Sequence, residues 1–184
     1  HALASGMFAL AIGDVYDSFL LGVAAFVATL VLTNVWNFMD GINGIAAGQA
    51  MLAALGLAWM AGGSWGLLAL ALAAACLGFL PFNFPRARIF MGDVGSGAIG
   101  FALGALCVVA GVRLGGKAAL VLLPVSVFLA DAGLTLFRRL VRGERWWTPH
   151  TQHAYQAWAR GVGHARVTVV YAGILVLVIL LSWG

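Results

Sequence analysis

The chain has 184 residues, 63% of them hydrophobic and 9% charged, with ten Lys and Arg against six Asp and Glu. Its mean hydropathy of +1.02 excludes an ordinary soluble domain, which has no use for so much apolar surface; an integral membrane protein must also turn an apolar face to lipid. The net charge of +4 does not argue for a nucleic-acid partner, because the arginines flank apolar runs, where they suit membrane orientation and anionic headgroups.

Residues 1–13 are apolar but short of the ~20 residues that a span needs. They read as the tail of a span that starts earlier, and with Met7 the first methionine the chain is expected to be the C-terminal part of a longer protein. No secretory signal peptide is evident. Five full spans follow at 19–36, 44–61, 65–82, 94–112 and 118–137, and a sixth at 167–184. Residues 62–64 make a tight connection between the second and third of these. The apolar runs are rich in Ala, Leu and Gly without a period of two, which argues against strands. The expected fold is all-α, a polytopic transmembrane helix bundle of about six spans forming one integral-membrane domain over 1–184. Cys76 and Cys107 fall in apolar stretches without metal-type spacing and read as reduced packing residues.

With residues 37–43 taken as cytoplasmic, alternation of the connections puts Arg86, Arg88, Arg138, Arg139, Arg142, Arg145, Arg160 and Arg166 on that side. Only Arg113 and Lys117 fall outside. Eight against two fits the positive-inside rule. The same assignment gathers Asp40, Asp93, His150 and His153 on the cytoplasmic face and leaves Asp14 and Asp17 outside.

A carboxylate at or near a bilayer is costly and usually has a task. If the first full span continues as helix, Asn34, Asn37 and Asp40 step by three and share a broad face, with Trp36, Phe38 and Met39 toward lipid or neighbouring helices. Asp40 capping the next helix is the plain alternative. Asp93 lies in the glycine-rich run Gly92-Asp93-Val94-Gly95-Ser96-Gly97, read as a turn just before a span. Backbone N–H groups at such a helix start suit phosphate, and a carboxylate there can hold Mg²⁺ that binds pyrophosphate oxygens. The run lacks the Lys and spacing of a nucleotide P-loop, and an N-cap role for Asp93 is the alternative. Gly100/Gly104 and Gly44/Gly48 form GxxxG pairs, best explained by helix packing. Asn83 and Phe90 bracket Arg86 and Arg88; an amide and an aromatic ring could hold a base, and the arginines could meet phosphates or headgroups.

The loop 138–166 is the longest and most basic, with Trp146 and Trp147 as interfacial anchors. Pro149-His150-Thr151-Gln152-His153 could start a helix with both imidazoles on one face, better suited to a diphosphate than to zinc, since no third soft ligand is near. Asp131 lies inside a span, seven residues before Arg138, and either pairs with an arginine or lines the cytoplasmic cavity.

Together these segments resemble the polyprenyl-phosphate N-acetylhexosamine-1-phosphate transferases, glycosyl transferase family 4. Asn34 to Gly44 looks like the family's second motif, Asn83 to Gly97 like its third, and His150 to His153 like its His-rich cytoplasmic loop. The resemblance implies a bacterial inner-membrane enzyme with a cytoplasm-facing site. It would transfer a sugar-1-phosphate from a UDP-sugar to undecaprenyl phosphate, giving a polyprenyl-diphospho-sugar and UMP for cell-envelope glycan synthesis. It also implies Mg²⁺ as cofactor with Asp93 as its ligand. Asn37 and Asp40 would position the diphosphate, Asn34 and Asn43 would belong to the substrate site, and Asn83 and Phe90 would hold the uracil. His150 and His153 would contact the sugar or phosphate end. The implied partners are the two substrates and membrane lipids, with a homodimer as a possible assembly.

Three departures stand out. The family carries adjacent aspartates upstream, and no Asp-Asp pair occurs here; Asp14 and Asp17 are wrongly spaced and on the other side. Family members are also nearly twice as long, with about ten spans, so this piece alone is expected to be inactive. Asn43 stands where many members have Asp, and Gln152 where some have His. The rival readings are a transporter or channel half, which would distribute its acids along a pathway through the bilayer, and an inactive membrane scaffold.

Overall fold

The computed structural model describes residues 1–144 and 153–182. Its regular elements are all helical: α1 (Ala2–Val15), α2 (Phe19–Met39), α3 (Ile45–Ala61), α4 (Gly63–Asn83), α5 (Gly92–Leu114), a 3₁₀ segment (Gly115–Val125), α6 (Ser126–Val141), α7 (Ala154–Val162) and α8 (His164–Ser182). α2, α4, α8 and the stretch Gly92–Val141, which holds α5, the 3₁₀ segment and α6, are long and apolar enough to cross a membrane, and α1 and α3 are shorter apolar helices. The polytopic bundle read from the sequence is the observed fold. α4 and α8 leave Leu67, Leu77, Leu177 and Leu181 more than half exposed. Lipid is the solvent that such faces fit.

α3 occupies the middle, touching α4, α5, α8 and the 3₁₀ segment. Ala46, Ala50, Ala53 and Ala54 are almost wholly buried on it, and Gly56 faces Pro124 closely enough that a Cβ would lie 3.1 Å from the ring. Small residues let the backbones approach where no hydrophobic effect drives helices together. α2 and α5 use the same device. A Cβ on Gly100 would strike the Leu32 carbonyl oxygen and lie 2.7 Å from Thr33 Cα, and one on Gly104 would lie 2.7 Å from Thr29 Cα. The Gly100/Gly104 pair is thus a packing pair. Gly44 and Gly48 are not: Gly44 is the N-cap of α3 with φ +75°, closely faced by Phe84, and a Cβ on Gly48 would meet nothing within 4 Å.

The expected span at 118–137 is broken. Gly115, with φ +53°, reverses the chain, and the 3₁₀ segment packs back on α5 before α6 begins at Ser126. Pro124 lacks an N–H to donate, and Lys117 departs from helical φ/ψ, so a regular α-helix does not run through this stretch.

The turns sort to two ends. At one, the Arg113 guanidinium near the end of α5 occupies the space a Gly62 side chain would need, in the turn between α3 and α4. At the other, the ends of α2 and α4 meet the start of α5. Asp40 and Asp93 therefore share an end, and Arg113 lies at the opposite one, as the alternation of connections predicts. Arg139 departs from a simple flanking role: it is 4% exposed and its Nε donates to Glu144 Oε2 at 3.0 Å.

Candidate active site

Asn37 sits in the last turn of α2 and Asp40 ends that helix with φ −86° and ψ 49°. The Asn37 amide Nδ2 donates to Asp93 Oδ1 at 3.1 Å and to Ser96 Oγ at 3.2 Å, while the Ser96 hydroxyl donates to the Gly92 carbonyl at 3.0 Å. Asp93 lies within the first turn of α5, behind Met91 as N-cap, and not in a turn ahead of the helix as the glycines suggested. A carboxylate there is favoured by the helix dipole, and the first N–H groups remain available to an anion. Asn34 does not join this group through its donor, which goes to the Leu30 carbonyl at 2.7 Å, within its own helix. Trp36 and Met39 are buried, Trp36 donating Nε1 to the Ala46 carbonyl at 3.2 Å and leaning on Phe128; Phe38 is 54% exposed.

Burial first, and the Asp93 carboxylate second, push the Asp40 carboxyl up from 3.8 to about 6. A folded-state pKa above the unfolded one favours the fold at low pH. That contribution is complete below pH ~4 and is lost as pH rises through ~6. Metal-free protein in detergent is therefore expected to melt at lower temperature as pH rises across this window. Asp40→Asn should flatten that dependence, and an equal slope in the variant would contradict it.

The two connections beside the carboxylates are stitched together. Gly44 N–H donates to Asn83 Oδ1 at 2.8 Å, Asn83 Nδ2 donates to the Ile89 carbonyl at 2.8 Å, and Asn43 Nδ2 donates to the Pro85 carbonyl at 3.1 Å. Thr168 on α8 donates its hydroxyl to the Asn43 carbonyl at 2.8 Å. Asn83 is 4% exposed and spends both ends of its amide on backbone, whereas Phe90 is 76% exposed. In this arrangement the Asn83 amide holds the turn, and the Phe90 ring offers a free face. Arg86 and Arg88 are exposed; Arg88 also bonds the Pro81 carbonyl at 3.4 Å and lies over the Phe82 ring.

His153 is the N-cap of α7 with extended backbone, and it is 3% exposed with Nδ1 3.5 Å from Asp131 Oδ1; the helix expected from Pro149 lies mostly outside the described residues. His150 lies outside the described residues. Asp131 pairs with no arginine among the described residues, and it is 7% exposed. Its Oδ1 accepts from Ala154 N–H and its Oδ2 from Tyr155 N–H, each at 3.0 Å, and Oδ2 also accepts from the Tyr171 hydroxyl at 2.6 Å. Tyr155, fully buried, donates its hydroxyl to the Phe38 carbonyl at 3.0 Å, just before Asp40. Burial, then the Asp131 and Asp40 charges, push the Tyr155 phenol far up, so it stays a neutral donor. Ser96, Tyr155 and Thr168 escaped the sequence reading; only Ser96, three residues after Asp93 on a helix, carried a signal.

Two mutually repelling carboxylates with amide and hydroxyl oxygens beside them suit a hard divalent cation. Among the described residues no three His, Cys, Asp or Glu side chains converge on a metal position. Two carboxylates are as many protein ligands as Mg²⁺ commonly takes, water and substrate oxygens completing its shell.

The sequence pattern of glycosyl transferase family 4 matches residues 4–111. This chain belongs to glycosyl transferase family 4. The decaprenyl-phosphate N-acetylglucosaminephosphotransferase of Mycobacterium tuberculosis (strain ATCC 25618 / H37Rv) is 32% identical over 183 residues, covering 85% of this chain and 45% of the relative. The protein of the same description from Mycolicibacterium smegmatis is 36% identical over 184 residues, covering 84% and 45%. The phospho-N-acetylmuramoyl-pentapeptide-transferase of Desulforudis audaxviator is 45% identical over 95 residues, covering 50% and 28%. The chain spans about half the length of the mycobacterial family members it matches.

Proposed function

We propose that this chain forms one integral-membrane domain of a phosphoglycosyl transferase, carrying the cation and diphosphate site at its cytoplasmic end. The enzyme would move an N-acetylhexosamine-1-phosphate from a UDP-sugar to undecaprenyl phosphate. The observation that supports this most is the join of Asn37, Asp93 and Ser96, which brings the end of α2 to the start of α5 beside Asp40. A phosphate oxygen of the lipid forms a bond to the sugar-linked phosphorus, the bond from that phosphorus to the bridging oxygen breaks, and UMP leaves with the electron pair. Asp93, with Asp40 beside it, would hold Mg²⁺, which supplies neutralisation of the diphosphate charge. Asn37 fixes the Asp93 carboxylate, the first N–H groups of α5 face the phosphates, and Phe90 offers a stacking surface for uracil. His153 contributes from behind, through Asp131 and α7. The clustering of Asp40 and Asp93 at one end favours this reading over a transport pathway, which would string its acids through the bilayer.

Incubating the full-length protein with undecaprenyl phosphate, Mg²⁺ and a panel of UDP-sugars tests it. UMP and a lipid-linked product should appear for at least one N-acetylhexosamine. Folded protein releasing no UMP from any donor would overturn the proposal.

A further inference from the structure

We propose that Asp131 is a positioning residue for the transfer: from α6 it caps α7 and so fixes, through Tyr155, the backbone that carries Asp40. This rests on the transferase reading above. α7 has nine residues, and its own N-cap, His153, makes no side-chain capping bond. A helix that short is marginal by itself, and its first N–H groups need acceptors. The acceptor comes from another helix. Both carboxylate oxygens of Asp131 take backbone N–H groups at the start of α7, and a carboxylate is also the charge that a helix N-terminus favours.

The remaining capacity of Asp131 ties in one more helix and a hydroxyl of its own helix. Tyr171 of α8 donates to Oδ2 at 2.6 Å, and Thr135, one turn along α6, donates to Oδ1 at 3.3 Å. With 7% exposure and this many donors, the carboxylate is a joint and not a group waiting for substrate. The output of the joint is Tyr155. Its backbone is held by Asp131, its ring is fully buried, and its hydroxyl reaches 117 residues back in the chain to the Phe38 carbonyl at 3.0 Å. The same hydroxyl lies where a side chain on Gly41 would be, so the backbone on both sides of Asp40 rests against it. His153 Nδ1 lies 3.5 Å from the same carboxylate.

The test uses the full-length protein. Tyr155→Phe removes the bond to Phe38 and keeps the buried ring. It should lower kcat at least tenfold per folded molecule, leave KM for the UDP-sugar within threefold, and leave the melting midpoint near that of the wild type. Asp131→Asn should speed amide hydrogen exchange at Ala154 and Tyr155 and lower kcat at least as far, with Asp131→Glu recovering part of both. A purely structural role predicts full kcat in whatever fraction folds, and that result would overturn the proposal. Unchanged exchange in Asp131→Asn would overturn the cap itself, independently of turnover. A wild-type protein that releases no UMP would instead sink the transferase reading, and the positioning role with it.

Discussion

Asp93→Asn is expected to stop turnover, lowering UMP release by on the order of a thousandfold, the scale seen when one preorganised charge-stabilising group is lost. The substitution is clean because the amide that replaces the carboxylate keeps an oxygen for Asn37 Nδ2 at the same place. The side chain is exposed, so the fold should change by less than about 0.5 kcal/mol. What disappears is the negative charge that a divalent cation needs. Initial rates measured across a Mg²⁺ titration separate the outcomes, since a variant that merely bound the cation more weakly would recover at high concentration. Asp40→Asn should also reduce the rate severely, because the second carboxylate of the pair goes. A wild-type rate in Asp93→Asn at ordinary Mg²⁺ would remove the residue from the site.

Gly100→Val is expected to be the most disruptive single change to the bundle. The new Cβ would fall on the Leu32 carbonyl and Thr33 Cα, backbone atoms that cannot rotate aside. α2 and α5 would have to separate, at a cost of ~3 kcal/mol or more, the upper part of the usual range for overpacking. The damage reaches the site, because Asn37 on α2 and Asp93 on α5 meet only while those helices stay in register. Loss of melting temperature and of UMP release should therefore appear together. Gly78→Ala is the control: on α4 a Cβ meets nothing within 4 Å, and alanine is the better helix former. A Gly100→Val protein that melts with the wild type would contradict the close approach of the two helices.

Much of this architecture was legible because apolar length is a strong signal in a bilayer. The boundaries of α2, α4 and α5 fall within about three residues of the runs read from composition. Gly100 and Gly104 gave away their helix contact by spacing alone. The interruption at Gly115–Val125 was less visible, since Pro124 sits in a run as apolar as a regular span and hydropathy does not register a missing N–H. Gly44 and Gly48 have the same spacing as the packing pair, but Gly44 serves a turn, which only backbone conformation distinguishes, and Gly48 lies inside α3 where a Cβ would meet nothing within 4 Å. The site divided in the same way. Asp40 and Asp93 stood out as charges in apolar surroundings. Asp131 stood out too, but its partners are 23, 24 and 40 residues away, and two of those bonds go to backbone that no residue type advertises. Asn83 looked like a base-binding amide because an exposed amide and a turn-holding amide are the same letter.

Asn37 has two acceptors near the start of α5, so its hold on that helix does not depend on Asp93 alone. The Nδ2 group carries two hydrogens and serves both Asp93 Oδ1 and Ser96 Oγ. Were the Asp93 carboxylate to turn toward a bound cation, Ser96 Oγ would still accept from the Asn37 amide, and the α2 terminus would keep its anchor. Under the proposed function, a cation could then be taken up by rotation of one short side chain with both helices left in place.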